Sequence, residues 1–178
     1  MLRYLDVQNI LDKNDLILQE SGCVGSENER GNTYMKKIGI VTDSHSSISQ
    51  EEAEKLGIFV LPMPFYIDGE CFYESVTLSR ELFFEKLAAG ADITTSQPSP
   101  TAVMEIWDKA LEQFEKILYL PISSGLSGSY ETAMMLAKDE AYEGRVLVVD
   151  DGQVAAPLHQ MVLDTLDMIK KGYEAEQI

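Results

Sequence analysis

Positive charge is the first thing this chain has little of. It sets 14 lysines and arginines against 30 aspartates and glutamates, a formal net charge of −16 at pH 7. With no basic stripe to neutralise phosphates, nucleic acid is excluded as a partner, and so is attraction to an anionic membrane surface. Cysteine is scarce as well. Cys23 and Cys71 stand in unrelated contexts without metal-ligand spacing, so a reduced, cytoplasmic setting is the expectation, with no disulfide framework, metal site or cofactor. Long apolar runs are missing, which leaves no membrane span. Asp6 and Asp12 fall where a signal peptide would need its apolar core. Histidine occurs twice, as His45 and His159, which restricts the choice of a catalytic base.

What is present suits a folded core. At 178 residues and 45% hydrophobic content the chain has room for one domain, or one domain and a fragment. Residues 1–34 read as an N-terminal extension or linker. Leu2, Leu5, Ile10, Leu11, Ile17 and Leu18 make a marginal helix, and the run from Ser21 to Asn32 has turn composition. Met35 is an alternative start, and 35–178 is the domain proper.

From Lys37 the text is regular. Ile38-Gly39-Ile40-Val41-Thr42 is a short apolar run ending in Asp43-Ser44, suited to a buried parallel strand. Ser49 and Glu52 form a capping box for a helix that Gly57 ends. Ile58 to Ile67 is β-rich but holds Pro62 and Pro64, which predicts an edge or irregular strand. Asp68-Gly69 signals a hairpin into Cys71-Phe72-Tyr73, and Ser79 to Ala89 a helix.

Thr94-Thr95-Ser96-Gln97-Pro98-Ser99-Pro100 reads as a polar loop. Behind it Val103, Ile106, Trp107, Ala110, Leu111 and Phe114 keep helical spacing, with Ser99 as N-cap and Pro100 as first helical residue. Hydroxyls and free N–H groups at a helix start can hold an anion, and can equally be an ordinary capped loop.

The second half repeats the strand-loop-helix theme. A strand from Lys116 to Ile122 runs into Ser123-Ser124-Gly125-Leu126-Ser127-Gly128-Ser129, and the next helix aligns Tyr130, Ala133, Met134 and Ala137. Arg145 to Val149 is another strand, ending in Asp150-Asp151-Gly152. The last helix aligns Leu158, Met161, Val162, Thr165, Leu166 and Ile169 and stops near Lys171-Gly172. The expected fold class is therefore α/β, a three-layer α/β/α arrangement on a mostly parallel sheet. Ligands of such sheets lie beyond the carboxyl ends of the strands. That edge gathers Asp43-Ser44, Ser123 to Ser129 and Asp150-Asp151, with the Ser96 loop as a candidate neighbour.

No catalytic set emerges there. Gly125-Leu126-Ser127-Gly128-Ser129 approaches a nucleophile elbow but ends in serine where glycine is needed. The Ser/Gly loop lacks the lysine of a phosphate-binding loop. Asp43, Asp150 and Asp151 could serve Mg²⁺-assisted phosphoryl chemistry or simply cap helices.

Three motifs in order, Ile40-Val41-Thr42-Asp43-Ser44, Thr95-Ser96-Gln97-Pro98-Ser99 and Ile122-Ser123-Ser124-Gly125-Leu126-Ser127-Gly128-Ser129-Tyr130, resemble the DegV family from about Met35 to the end. The resemblance implies a two-lobed bacterial fatty-acid-binding protein, not an enzyme, that presents a long acyl chain to a fatty acid kinase. It implies an apolar tunnel for the tail, with the carboxylate on Ser96 and the Ser/Gly loop near the head group. The expected ligand-binding residues are Ser96, Thr95, Asp43, Ser44, Ser124, Gly125, Ser127 and Gly128, without a metal.

Departures from the family pattern are His45 after Thr-Asp-Ser, Ser129 for threonine, Asp151 for serine, and Ala156-Pro157 for a glycine-rich turn. Family members are also longer, so most of a second lobe is expected to be missing. Weaker lipid binding and self-association through an uncovered face follow as expectations. The rival readings are a Mg²⁺-dependent phosphatase using strand-end aspartates, and a non-binding remnant that serves as an interaction module.

Overall fold

The computed structural model describes residues 36–73 and 76–178; the expected extension over 1–34 lies outside the described residues. Along the chain come β1 (Lys36–Asp43), a 3-10 turn (Ser44–Ser46), α1 (Gln50–Leu56), β2 (Phe59–Leu61), β3 (Pro64–Ile67) and β4 (Glu70–Tyr73). They are followed by α2 (Arg80–Ala88), β5 (Ile93–Thr95), α3 (Pro100–Leu111), β6 (Phe114–Leu120), α4 (Ser129–Leu136), β7 (Val146–Val148), α5 (Ala156–Lys170) and a second 3-10 turn (Ala175–Gln177).

Four strands form a wholly parallel sheet in the order β2-β1-β6-β7. Its strands are apolar on both faces because helices cover both. On one face Val41, Ile117 and Tyr119 pack with Val103, Ile106, Trp107 and Ala110 of α3 and with Ala133 of α4. On the other, Ile38, Ile40, Leu118 and Leu120 pack with Ala53 of α1 and with Leu158 and Val162 of α5. The result is the three-layer α/β/α arrangement that the alternation of elements predicts. Trp107 anchors the first face, with the rings of Tyr119 and Tyr142 edge-on at 5.5 and 5.3 Å.

Local signals fix most boundaries. Ser49, Ser79 and Ser99 each cap a helix, accepting from the N–H of Glu52, Leu82 and Ala102. The spacing that carries helix to Phe114 is overturned. α3 stops at Leu111, the chain tightens as the Gln113 N–H donates to the Ala110 carbonyl, and Phe114 opens β6. Its ring meets Phe59 of β2 edge-on at 6.5 Å, so burial that fits a helical stripe is supplied by a strand. On α4, Met134 stays exposed although it shares the predicted apolar face.

The stretch from Pro64 to Thr95 makes a second, antiparallel sheet in the order β4-β3-β5. Asp68 and Gly69, both at positive φ, form the two-residue turn between β3 and β4. Pro64 opens β3, where its missing N–H disturbs the ladder least. β3, expected as an edge, is the middle strand. Thr94 and Thr95, read from composition as loop, belong to β5 and pair with Tyr66 and Phe65. No helix among the described residues is long and apolar enough to cross a membrane.

Candidate functional site

Beyond the carboxyl ends of β1 and β2 the two sheets leave a cavity of about 570 Å³. The turn after β1 supplies Ser44, His45 and Ile48, the link from β2 to β3 supplies Met63, β3 supplies Phe65, and α2 supplies Phe83 and Phe84. Ile93 and Thr95 of β5 close it. The volume falls in the range of small-molecule pockets, and the lining joins apolar side chains to several hydroxyls, one amide and one imidazole. No aspartate, glutamate, lysine or arginine lines it.

Asp43 is what holds the β1 end of this cavity in place. Its carboxylate is fully buried, and Oδ2 accepts the Ile122 N–H at 2.7 Å while Oδ1 accepts the His45 N–H at 2.9 Å. One side chain thereby ties the end of β1 to the end of β6 and turns the chain into the 3-10 segment. Both oxygens are engaged by backbone, which charge-assisted bonds of this kind hold firmly. Ser44 follows, and its hydroxyl accepts the Met63 N–H at 3.1 Å, so the β2–β3 link is hung from the same turn.

Thr95 reaches the cavity from β5, and Ser96 is the next residue, exposed, its N–H donating to the Pro64 carbonyl at 3.3 Å. The Ser96 hydroxyl donates to the Gln97 carbonyl at 3.1 Å. Gln97 carries the loop across to α4, where its amide donates to Thr132 Oγ1 at 3.2 Å. A Cβ on Gly128 would lie 3.0 Å from Gln97 Oε1, so glycine permits this close approach. The Ser/Gly loop is internally bonded: Gly125 N–H donates to Ser123 Oγ at 3.2 Å, and the Ser127 and Ser129 hydroxyls meet at 2.8 Å.

The expected site residues therefore fall into groups. Ser44 and Thr95 line the cavity. Ser96 flanks Thr95, Asp43 lies buried beneath Ser44, and Ser124, Gly125, Ser127 and Gly128 stand on the neighbouring loop, off the lining. Sequence reasoning missed His45, Ile48, Met63, Phe65, Phe83, Phe84 and Ile93 as wall residues. The adjacent Phe83-Phe84 in a helix without a clean apolar stripe was the available signal, since one such ring is left to face something other than the core.

The strand-end aspartates are spent on local structure. The Ser124 hydroxyl and N–H hold the Asp150 carboxyl below its ordinary range, helped by the Gly152 N–H. Asp151 is moved the other way, chiefly by burial and then by the charge of Asp150. Among the described residues no three histidine, cysteine, aspartate or glutamate side chains are grouped so as to hold a metal ion.

An α/β lobe with an apolar, hydroxyl-edged cavity at its carboxyl edge defines a class that can house an aliphatic ligand. A family model described as uncharacterised protein, DegV family, matches residues 37–178, and the chain belongs to that family. A DegV domain-containing protein of Caldanaerobacter subterraneus is 33% identical over 144 residues, which are 81% of this chain and 51% of that protein. A solved structure concerning fatty acid binding of a DegV family protein from Thermus thermophilus matches with a TM-score of 0.72 at 32% identity, over 79% of this chain and 50% of that one. A Thermotoga maritima protein described as revealing fatty acid binding function matches with a TM-score of 0.70 at 26% identity, over 81% of this chain and 52% of its own. The chain spans about half the length of the relatives it matches.

Proposed function

We propose that this chain binds a long-chain fatty acid, with the tail in the cavity and the carboxylate at Ser44, Thr95 and Ser96. Asp43 sets the turn that carries Ser44, and Ser124, Gly125, Ser127 and Gly128 border the head group through the Gln97 bridge. The observation that carries this reading is an apolar cavity edged with hydroxyls and free of acidic side chains, in a protein of net charge −16. Neutral O–H groups can donate to an anion without a net positive charge, and each buried methylene contributes roughly 0.8 kcal/mol. The rings of Phe65 and Phe83, edge-on at 5.6 Å, supply the wall for such a tail.

In the same reading residues 35–178 act as the binding lobe and 1–34 as an appendage. The protein is a non-enzymatic carrier in the cytoplasm that presents its ligand to a fatty acid kinase. Exposed Leu82, Phe84 and Leu87 on α2 favour self-association as well. Mass spectrometry of organic extracts from the purified protein tests the ligand. A stoichiometric C14–C18 fatty acid is the expected result, and lipid-free protein that also fails to take up added hexadecanoate would overturn the reading.

A further inference from the structure

The cavity wall carries a single side chain that can change its charge near neutral pH. Ser44, Ser47, Ser49, Ser79 and Thr95 offer hydroxyls and Gln50 an amide, and the remaining lining apart from His45 is apolar. The imidazole of His45 is 35% exposed, and its Nδ1 lies 3.4 Å from Oδ1 of the fully buried Asp43. Its backbone is fixed from two sides, because its N–H donates to Asp43 at 2.9 Å and its carbonyl accepts the Ala155 N–H at 2.7 Å. The buried carboxylate is thus a close electrostatic neighbour of the ring.

We infer that His45 selects the head group: when protonated it gives the wall its positive charge and ion-pairs with a bound anion, and when neutral it does not. This rests on the fatty-acid reading and adds to it a preference for a charged head group that strengthens as pH falls. Ionisable groups on the neighbouring elements include Asp43 on β1, Asp151 after β7, whose carboxyl senses Asp43, and Glu52 of α1 paired with His159 of α5 at 3.2 Å. None of these others lines the cavity.

Dodecanesulfonate, anionic throughout, and dodecanol, neutral throughout, separate the protein's titration from the ligand's. Calorimetry on the full chain at about pH 5.5 and about pH 8, which bracket histidine titration, should show sulfonate binding about ten-fold tighter at the lower pH. Dodecanol should bind equally at both. His45→Gln should bind both probes and keep only the small gain that comes from the chain's overall loss of negative charge, which wild type shares. His159→Gln should behave as wild type, and His45→Lys should hold sulfonate tightly at both values. With two histidines in the chain, imidazole NMR of wild type and His159→Gln follows His45 itself, even if a His45 variant folds poorly. Its titration should move to higher pH with sulfonate and stay in place with dodecanol. A pH gain equal in wild type and His45→Gln, or a His45 titration that sulfonate leaves unmoved, overturns the inference alone. Failure of both probes to bind at either pH overturns the fatty-acid reading and this inference with it.

Discussion

On the parallel sheet Trp107, Ile117, Leu118 and Tyr119 are sealed between helices, whereas on the antiparallel side Phe84 is 52% and Leu87 48% exposed. Both regions are rich in large apolar residues, but only the first has a covering layer on each face. The difference separates two tasks. A sheet buried on both faces holds Asp43 and the strand ends in register. A wall made of β3, β4, β5 and α2, with fewer buried contacts, is expected to open at a lower free-energy cost and, in the proposed reading, to adjust around an aliphatic chain. The site lies along the seam between them, with Ser44 and His45 from the rigid side and Thr95, Phe83 and Phe84 from the other.

The largest expected effect probes the platform. Trp107→Ala should lower unfolding free energy by about 3–5 kcal/mol, and Phe84→Ala by less than about 1 kcal/mol, both read by denaturant titration. Equal losses would erase the distinction between the regions. Next, Asp43→Ala leaves the N–H groups of Ile122 and His45 without their acceptor. Each should cost about 1–3 kcal/mol of stability, more than a ligand-contact role alone would give. Ser96→Ala sits on the adjustable side. It should weaken fatty acid binding by about 1.5–3 kcal/mol while the denaturation midpoint stays put, and unchanged lipid retention would remove Ser96 from the head-group role.

The smallest effect concerns pH. Burial raises the Asp151 carboxyl above its ordinary range. A carboxyl raised by folding leaves stability intact below its unfolded value, and that stability is lost as pH rises through the folded value. Asp151→Asn keeps an acceptor for the Gln153 N–H and removes the charge. It should therefore be more stable than wild type at neutral pH, by less than about 1 kcal/mol, and equal to it at pH below the carboxylate range. A variant less stable at neutral pH would show that the charge is favourably placed.

The parallel half was legible because its signals are local and repeated. Apolar runs end in Asp43 or Asp150, and serine caps sit just ahead of α1, α2 and α3, so strand and helix types follow from the chain itself. The ring of Phe114 was not assignable that way, since a stripe of helical spacing and the first residue of a strand look alike until Phe59 is known to lie beside it. The antiparallel sheet was half legible. Asp68-Gly69 announces the β3–β4 turn, but β5 depends on pairing with β3 across 25 or more intervening residues, and Thr94-Thr95 carries no apolar alternation to signal it. Of the site, the hydroxyl residues stand out by composition. The apolar wall does not, because Ile48, Met63, Phe65 and Phe83 come from separate elements and meet only once both sheets are formed.

Crystals of the chain grown with hexadecanoate brominated at its terminal carbon would test the account most directly, since anomalous scattering marks the tail end. The account predicts the bromine inside the cavity near Phe65, Phe83 and Met63, with the carboxylate within hydrogen-bond distance of Thr95 or Ser96. A bromine outside that cavity, or a carboxylate on the far side of the parallel sheet, would contradict it.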